Sequence, residues 1–168
     1  AIAAQDGDAV LTVTDAATLA QFSTLNAATS ADIVLSGGLS DTAANLSPSG
    51  TDSTAFTAAE TQDPDVAVTV TGTNPTVAEV NSIAAATTGV VTATISDTIA
   101  NLAALTTAAT DAITVTVTDA ATVAEFETLD GKTSVNVILG GGISDTAANL
   151  SPSGTDSTAF TAAETQDP

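Results

Sequence analysis

Short runs in which hydrophobic and polar residues alternate recur along the chain, and each is followed by residues with helical spacing. The clearest run is Ile113–Thr118, where isoleucine and valine alternate with threonine, the period-2 pattern of a half-buried strand. After Asp119, apolar residues recur every three positions in Val123–Leu129, which predicts a short helix. The side chains predicted to form one packed layer of this strand and helix are Ile113, Val115, Val117, Val123, Phe126 and Leu129.

Six such strand–helix repeats can be placed along the chain. The predicted strands are Ala9–Thr14, Asp32–Ser36, Val66–Thr71, Val90–Ile95, Ile113–Thr118 and Val135–Leu139. The predicted helices are Ala16–Asn26, Thr42–Leu46, Pro75–Ala86, Thr98–Thr107, Ala120–Leu129 and Thr146–Leu150. Two insertions, 47–64 and 151–168, each contain a Ser-Pro-Ser-Gly turn and a short predicted helix, at Ser53–Glu60 and Ser157–Glu164.

A longer period is superimposed on these repeats. The sequence Ser40–Pro64 returns unchanged at Ser144–Pro168, an offset of 104 residues. Thr12–Thr18 returns at Thr116–Thr122 with the same offset. We therefore expect one continuous array that is itself a segment of a longer tandem array. The blocks of this array are 1–64, 65–110 and 111–168.

The repeat length limits the fold. A strand, a short helix and two turns occupy roughly 22–23 residues, which leaves no room for a second strand. Consecutive strands joined through a helix must run parallel, and such crossovers are nearly always right-handed. The sequence therefore predicts a right-handed α/β solenoid of short parallel strand–helix units with two inserted loops. Leucine-rich repeats have a similar length, but their LxxLxLxxN signature is absent.

Composition excludes several functions. The chain has one Lys or Arg against 20 Asp and Glu, a net charge of −19, so nucleic acid and anionic membranes are poor partners. Aromatic residues make up 2% of the chain, which predicts a thin core of small side chains that gains stability by stacking. Histidine and cysteine are absent, so no catalytic residue is assigned and no enzyme is predicted. No apolar run is long enough for membrane insertion.

Aspartate recurs where the predicted strands end. The carboxylates are expected to cap the following helices by accepting backbone N–H bonds. The alternative is a ladder of aspartates about 4.8 Å apart on neighbouring strands that binds Ca²⁺, the one cofactor that the sequence suggests. Carboxylate pairs in Asp6–Asp8 and Asp63–Asp65 are isolated candidates for the same ion. The candidate metal ligands of the ladder are Asp15, Asp41, Asp97, Asp119 and Asp145.

Threonine occupies the predicted outer face of the strands. The Thr-x-Thr pattern fits ordinary strand propensity and a solvated face of hydroxyl groups. Two alternatives are an array that orders water, as in ice-binding solenoids, and a docking face for a second solenoid or for the insertions. Hydrophobic residues in Ile33–Leu35 and Val135–Ile138 interrupt the pattern. The threonines of this ladder are Thr12, Thr14, Thr69, Thr71, Thr92, Thr94, Thr114, Thr116 and Thr118.

The segments VTVTDAATVAEF, ISDTAANL and SDTIANLAAL resemble the Ala/Thr/Asp-rich tandem repeats of giant bacterial extracellular surface proteins, both adhesin-like and surface-layer-like. The resemblance covers nearly the whole chain outside the two insertions. It implies an extracellular or cell-surface location, a structural or adhesive role and frequent support by Ca²⁺. It assigns no catalytic residue to this sequence.

These observations predict a structural repeat module of a long extracellular fibre, surface layer or adhesin stalk. Its partner would be itself, as a homopolymer or as the continuation of a longer array, through open strand edges. The alternative is a ligand-binding solenoid that uses its Asp ladder for Ca²⁺ or its Thr ladder for ice. A polysaccharide lyase is disfavoured because Lys132 is the one basic residue, and disorder is disfavoured by a mean hydropathy of +0.33. Sequons at Asn45 and Asn149 fit helix-cap chemistry as well as glycosylation.

Overall fold

The computed structural model describes residues 8–167 of the chain. The chain divides into two compact units, Ala1–Thr92 and Ala93–Pro168. Strand–helix repeats build both units, and the boundary between the units falls within the strand of the fourth repeat. The repeats are named by these ranges: 8–30 (repeat 1), 31–64 (repeat 2), 65–88 (repeat 3), 89–110 (repeat 4), 111–134 (repeat 5) and 135–167 (repeat 6).

All strand pairs with a defined register run parallel, as the sequence predicts for an α/β chain. One sheet has the order β1-β2 and the other has the order β3-β4-β5-β6-β7, whereas the sequence predicted one sheet. The strands are β1 (Leu11–Thr12), β2 (Ile33–Val34), β3 (Leu39–Thr42), β4 (Val68–Thr71), β5 (Val91–Asp97), β6 (Ala112–Val117) and β7 (Ile138–Leu139). Most are shorter than their predicted ranges.

Every predicted helix is present. The helices are α1 (Leu19–Asn26), α2 (Ala43–Leu46), α3 (Thr54–Gln62), α4 (Val77–Ala86), α5 (Ile99–Leu102), α6 (Val123–Asp130), α7 (Ala147–Leu150) and α8 (Thr158–Gln166). Short 3-10 turns follow α2 and α7, at Pro48–Gly50 and Pro152–Gly154. The insertion helices α3 and α8 pack on α1 and α6, respectively. Helix α5 ends five residues before its predicted end at Thr107, whose hydroxyl instead donates to the carbonyl of Lys132.

Strand β3 was not predicted, and a glycine corner explains it. Gly38 has a φ of +79°, a left-handed conformation that favours glycine, and it turns the chain between β2 and β3. A Cβ atom on the preceding Gly37 would overlap the backbone of Asp15 in repeat 1. Gly141 and Gly142 form the same corner in repeat 6, against Asp119. The glycines therefore serve the turn and the close approach of consecutive repeats.

The predicted layer of repeat 5 is confirmed. Val115, Val117 and Phe126 are 0% exposed, and the other three members of the layer are also buried. The largest fully buried side chains include one phenylalanine from each of three repeats, Phe22, Phe56 and Phe126. Most of the other buried side chains are valine, leucine, isoleucine and alanine, so the core contains few bulky rings. No helix in the described residues is long and apolar enough to cross a membrane.

Candidate functional site

The carboxylate of Asp41 in strand β3 is buried and accepts three hydrogen bonds. Its Oδ2 accepts the backbone N–H of Leu19 at 3.0 Å, and its Oδ1 accepts the backbone N–H of Thr42 at 2.8 Å. The side-chain amide of Asn45 also donates to Oδ1, at 2.7 Å. Leu19 is the first residue of α1 in repeat 1, so Asp41 holds the helix of the preceding repeat. We call such a contact, from an aspartate to the first helical N–H of the preceding repeat, a carboxylate staple.

Carboxylate staples recur in the second compact unit. Asp119 of repeat 5 accepts the backbone N–H of Ile99, the first residue of α5, at 2.7 Å. Asp145 of repeat 6 accepts the backbone N–H of Val123, the first residue of α6, at 3.2 Å. An N–H group at the start of a helix has no partner within the helix, so each staple satisfies one such group and adds a charge at the positive helix end.

These contacts correct the role that the sequence assigned to the aspartates. Outside the two insertions, the helix N-caps are threonines; the hydroxyl of Thr18, for example, accepts the backbone N–H of Gln21. Asp97 and Asp145 bond to the backbone of the following threonine and to an asparagine four residues on, as Asp41 does. The recurring sequence Asp-Thr-x-x-Asn is the signal that could have revealed this arrangement.

Hydrogen bonding lowers the pKa of the three aspartates of the Asp-Thr-x-x-Asn sequences. Burial alone would raise the pKa of Asp41, but the bonds from Asn45, Leu19 and Thr42 outweigh it and lower the pKa. The pKa of Asp97 and that of Asp145 are also lowered, chiefly by the asparagine amide in each case. These groups stay ionised and acceptor-only, which suits carboxylates that bind N–H groups.

The predicted aspartate ladder does not gather into a metal cluster. Among residues 8–167, no three acidic side chains are close enough to hold one ion. Asp15 is exposed, and Asp6 and Gly7 lie outside the described residues. The pKa of Asp63 is raised, first by burial and then by its neighbour Asp65, which places two carboxylates together but no third. Calcium binding stays a prediction.

The predicted threonine ladder lies on the exposed side of the strands. In the five-stranded sheet, Thr69 of β4 is in register with Ser40 of β3 and with Thr92 of β5. This row places three hydroxyl-bearing residues on adjacent strands. Elsewhere the row is interrupted, because Thr12 is in register with Val34, and Thr116 with Ile138. The remaining ladder members are exposed or half-buried: Thr14, Thr71, Thr94, Thr114 and Thr118.

The insertions have a structural role that the sequence did not reveal. In repeat 2, Gln62 Oε1 accepts the backbone N–H of Ile33 at 3.0 Å, and Asp63 Oδ2 accepts that of Leu35 at 2.6 Å. Gln166 and Asp167 bond in the same way to Val137 and Leu139 in repeat 6. Each insertion therefore satisfies N–H groups at a strand edge, which would otherwise be free to pair with another chain.

Insertion residue Glu60 has a carboxylate oxygen, Oε1, that is buried without a hydrogen-bond partner among the described residues. Burial, with a smaller contribution from the charge of Asp52, raises the pKa of Glu60 to about 7. Asp52 itself accepts the hydroxyl of Ser82 in α4. Glu60 thus keeps its proton to a higher pH than an exposed glutamate does.

The raised pKa predicts how stability changes with pH. The unfolded chain releases the Glu60 proton near pH 4.5, whereas the folded chain keeps it until about pH 7. The free energy of unfolding therefore falls as pH rises between these two values. Glu60→Gln should therefore stabilise the first compact unit by roughly 1–2 kcal/mol at pH 8, after allowance for partial exposure, and by little at pH 4. Urea unfolding across pH measures this, with Glu164→Gln at the exposed equivalent position as the control. Equal pH profiles for both variants would contradict it.

The stapling carboxylates and the glycine corners connect one repeat to the preceding one. The insertion ends instead bond to the strand edge of their own repeat. Comparison with protein-family models, with curated proteins and with solved structures finds no match to this chain.

Proposed function

We propose that this chain is a structural repeat module of a long extracellular fibre, surface layer or adhesin stalk. Its strand–helix repeats would stack as a right-handed α/β solenoid, and its task would be to supply length and cohesion. The observation that carries this proposal is the carboxylate staple: Asp41, Asp119 and Asp145 each hold the helix start of the preceding repeat.

The carboxylate staple supports a scaffold role because its charged groups hold neighbouring repeats together. A binding site for a small ligand directs unsatisfied polar groups into a concave pocket. Here both oxygens of Asp41 and Asp145 accept hydrogen bonds from the chain itself. Each repeat also has too few bulky side chains to be stable alone, so neighbouring repeats must bury one another.

The sequence supports the extracellular setting. The resemblance to repeats of giant bacterial surface proteins implies it, and the 104-residue period suits an assembly that needs length more than one unique site. A net charge of −19 would keep such an array soluble and would discourage nonspecific association.

Electron microscopy of a lengthened chain tests this proposal. Several 104-residue periods joined in one polypeptide should appear as rods of uniform width. Each period adds four strand–helix repeats, so the length should grow by about 19 Å per period at a strand spacing of about 4.8 Å. Strings of separate globules joined by linkers would contradict the proposal.

A second candidate function is the ordering of water on the threonine face. The row Ser40, Thr69 and Thr92 on adjacent strands favours it, whereas the exposed Val34 and Ile138, in register with Thr12 and Thr116, reduce its regularity. We expect thermal hysteresis only if this face binds ice, and Thr69→Lys should then abolish it.

The aspartate ladder has a separate test. A melting temperature of the protein that rises with added Ca²⁺ would favour the ladder as a cation site.

A further inference from the structure

The end of insertion helix α3 is a short segment that is fixed on both sides. Before it, Ala59 is 0% exposed. After it, the carbonyl of Pro64 accepts the backbone N–H of Thr88 in repeat 3 at 3.0 Å. Between these two anchors lie residues 60–63, which are exposed or half-buried. We call residues 60–63 the strap.

The strap covers an edge of strand β2. Among the described residues, β2 pairs with β1 on one side and with no strand on the other. On this second side, Gln62 accepts the backbone N–H of Ile33 at 3.0 Å, and Asp63 accepts that of Leu35 at 2.6 Å. The two side chains thus supply the acceptors that a third strand would supply. Without the strap, two N–H groups at the edge would be unpaired.

Glu60, the first residue of the strap, directs a carboxyl oxygen into the interior. Its Oε1 is buried and has no hydrogen-bond partner among the described residues. The hydroxyl of Ser82 in α4 donates to the neighbouring Asp52 at 2.8 Å. An ionised carboxylate that is buried without a partner is costly in free energy. Ionised Glu60 is therefore satisfied only where water reaches this oxygen.

The groups around Glu60 do not compensate a negative charge. Helix α1, which packs on α3, has no ionisable side chain. Helix α4 has one, Glu79, whose carboxylate is engaged in the capping box of that helix. At the far end of the strap, Asp63 lies beside Asp65. The one basic side chain of the sequence, Lys132, belongs to the second compact unit.

We propose that the strap is a pH-sensitive cover of the β2 edge, closed while Glu60 is neutral and opened when Glu60 ionises. Unwinding the strap brings the Glu60 carboxylate into water. Because the strap is continuous, the same movement withdraws Gln62 and Asp63 from the strand edge. The opening is local: the edge becomes unpaired while the rest of the first compact unit stays folded.

The direction of the pH dependence follows from the two states of the strap. Burial, and then the charge of Asp52, raises the pKa of Glu60 to about 7 in the closed strap, whereas its ordinary value is 4.5. The open fraction is therefore smallest below pH 4.5, rises between pH 4.5 and about pH 7, and is constant above that range. After allowance for partial exposure, we expect the open fraction to rise about tenfold to a hundredfold in total.

Residue-resolved hydrogen exchange measures this opening. The N–H of Leu35 reports on the strap, because its acceptor is Asp63. The N–H of Val68 reports on unfolding of the whole unit, because Val68 is 1% exposed and donates to the carbonyl of Val90. Protection factors remove the intrinsic pH dependence of exchange. We expect protection of Leu35 to be lower than that of Val68 and to fall about tenfold to a hundredfold from pH 4.5 to about pH 7.

Glu60→Gln is the decisive variant. It keeps the size of the side chain and removes its ionisation, so protection of Leu35 should no longer fall between pH 4.5 and about pH 7. Asp63 is unchanged in this variant, so the difference from the unmodified chain belongs to Glu60. The matched control is Glu164→Gln, since Glu164 is exposed within an identical sequence. It should not alter the pH profile of Leu139, whose N–H donates to Asp167.

Asp52→Asn provides a second, independent variant. Asparagine keeps an acceptor oxygen for the hydroxyl of Ser82 but removes the charge that opposes ionisation of Glu60. The fall in protection of Leu35 should then end at a lower pH than in the unmodified chain. If circular dichroism shows that Glu60→Gln is unfolded, this displacement decides the question.

Three results would overturn the proposal. Protection of Leu35 that is independent of pH would mean that the Glu60 side chain reaches water by rotation alone. Equal protection of Leu35 and Val68 would mean that the edge opens only when the whole unit unfolds. A pH profile that is the same in the unmodified chain, in Glu60→Gln and in Asp52→Asn would assign the opening to another group.

Discussion

Phe56→Ala is expected to lower the free energy of unfolding of the first compact unit by about 3–5 kcal/mol. Phe56 is 0% exposed in insertion helix α3, so its removal leaves a cavity as well as losing the transfer free energy of the ring. The chain has four phenylalanines and no tryptophan or tyrosine, so bulky rings that could fill such a cavity are few. Urea denaturation followed by circular dichroism measures the change.

The same substitution at Phe160 is the matched control. The 25-residue sequence around it is identical, but Phe160 is half-buried because no repeat among the described residues covers its side of repeat 6. We expect a distinctly smaller loss for Phe160→Ala. Equal losses at the two positions would show that the following repeat does not contribute to burial, and would contradict the stacking of repeat 3 on repeat 2.

Asp41→Ala is expected to destabilise the first compact unit by about 2–4 kcal/mol at neutral pH. The substitution removes the acceptor for Leu19, Thr42 and Asn45, and it leaves the N–H of Leu19 buried without a partner. The pKa of Asp41 is lowered in the folded chain, so its contribution is present above its ordinary value of 3.8. The contribution is lost as pH falls through the folded-state value, and the variant should then approach the unmodified chain in stability.

Asp145→Ala provides the corresponding control in repeat 6. It removes the same set of bonds, from Val123, Thr146 and Asn149, but at a half-buried position where water can replace the carboxylate. Its effect should be smaller, and amide hydrogen exchange should show increased exchange at Val123. Protection of Leu19 that persists in Asp41→Ala would mean that the carboxylate staple does not hold the helix start.

Periodicity was sufficient to predict the alternation of elements. The six strand–helix repeats, the eight helices and the parallel direction follow from alternating β-branched residues, three-residue apolar spacing and short connections. The packed layer in repeat 5 was also predicted correctly, because Phe126, Ile113 and Leu129 are the bulkiest residues available there. Local sequence patterns determine such features.

Contacts between repeats could not be predicted from local patterns. Strand β3 has one bulky apolar residue, Leu39, and it becomes a strand because β4 pairs with it. The staple from Asp41 to Leu19 joins residues 22 positions apart, and the bond from Asp63 to Leu35 joins residues 28 apart. An aspartate before a helix resembles an N-cap in sequence, and only the close approach of the preceding repeat redirects its carboxylate.

Equilibrium unfolding of chains with increasing numbers of 104-residue periods tests most directly whether stacking compensates for the thin core. We expect the denaturant midpoint and the steepness of the transition to rise as each period is added, because every new interface contributes to the stability of repeats already present. A midpoint that stays constant from one period to three would show that each period folds independently, and would contradict stabilisation by stacking.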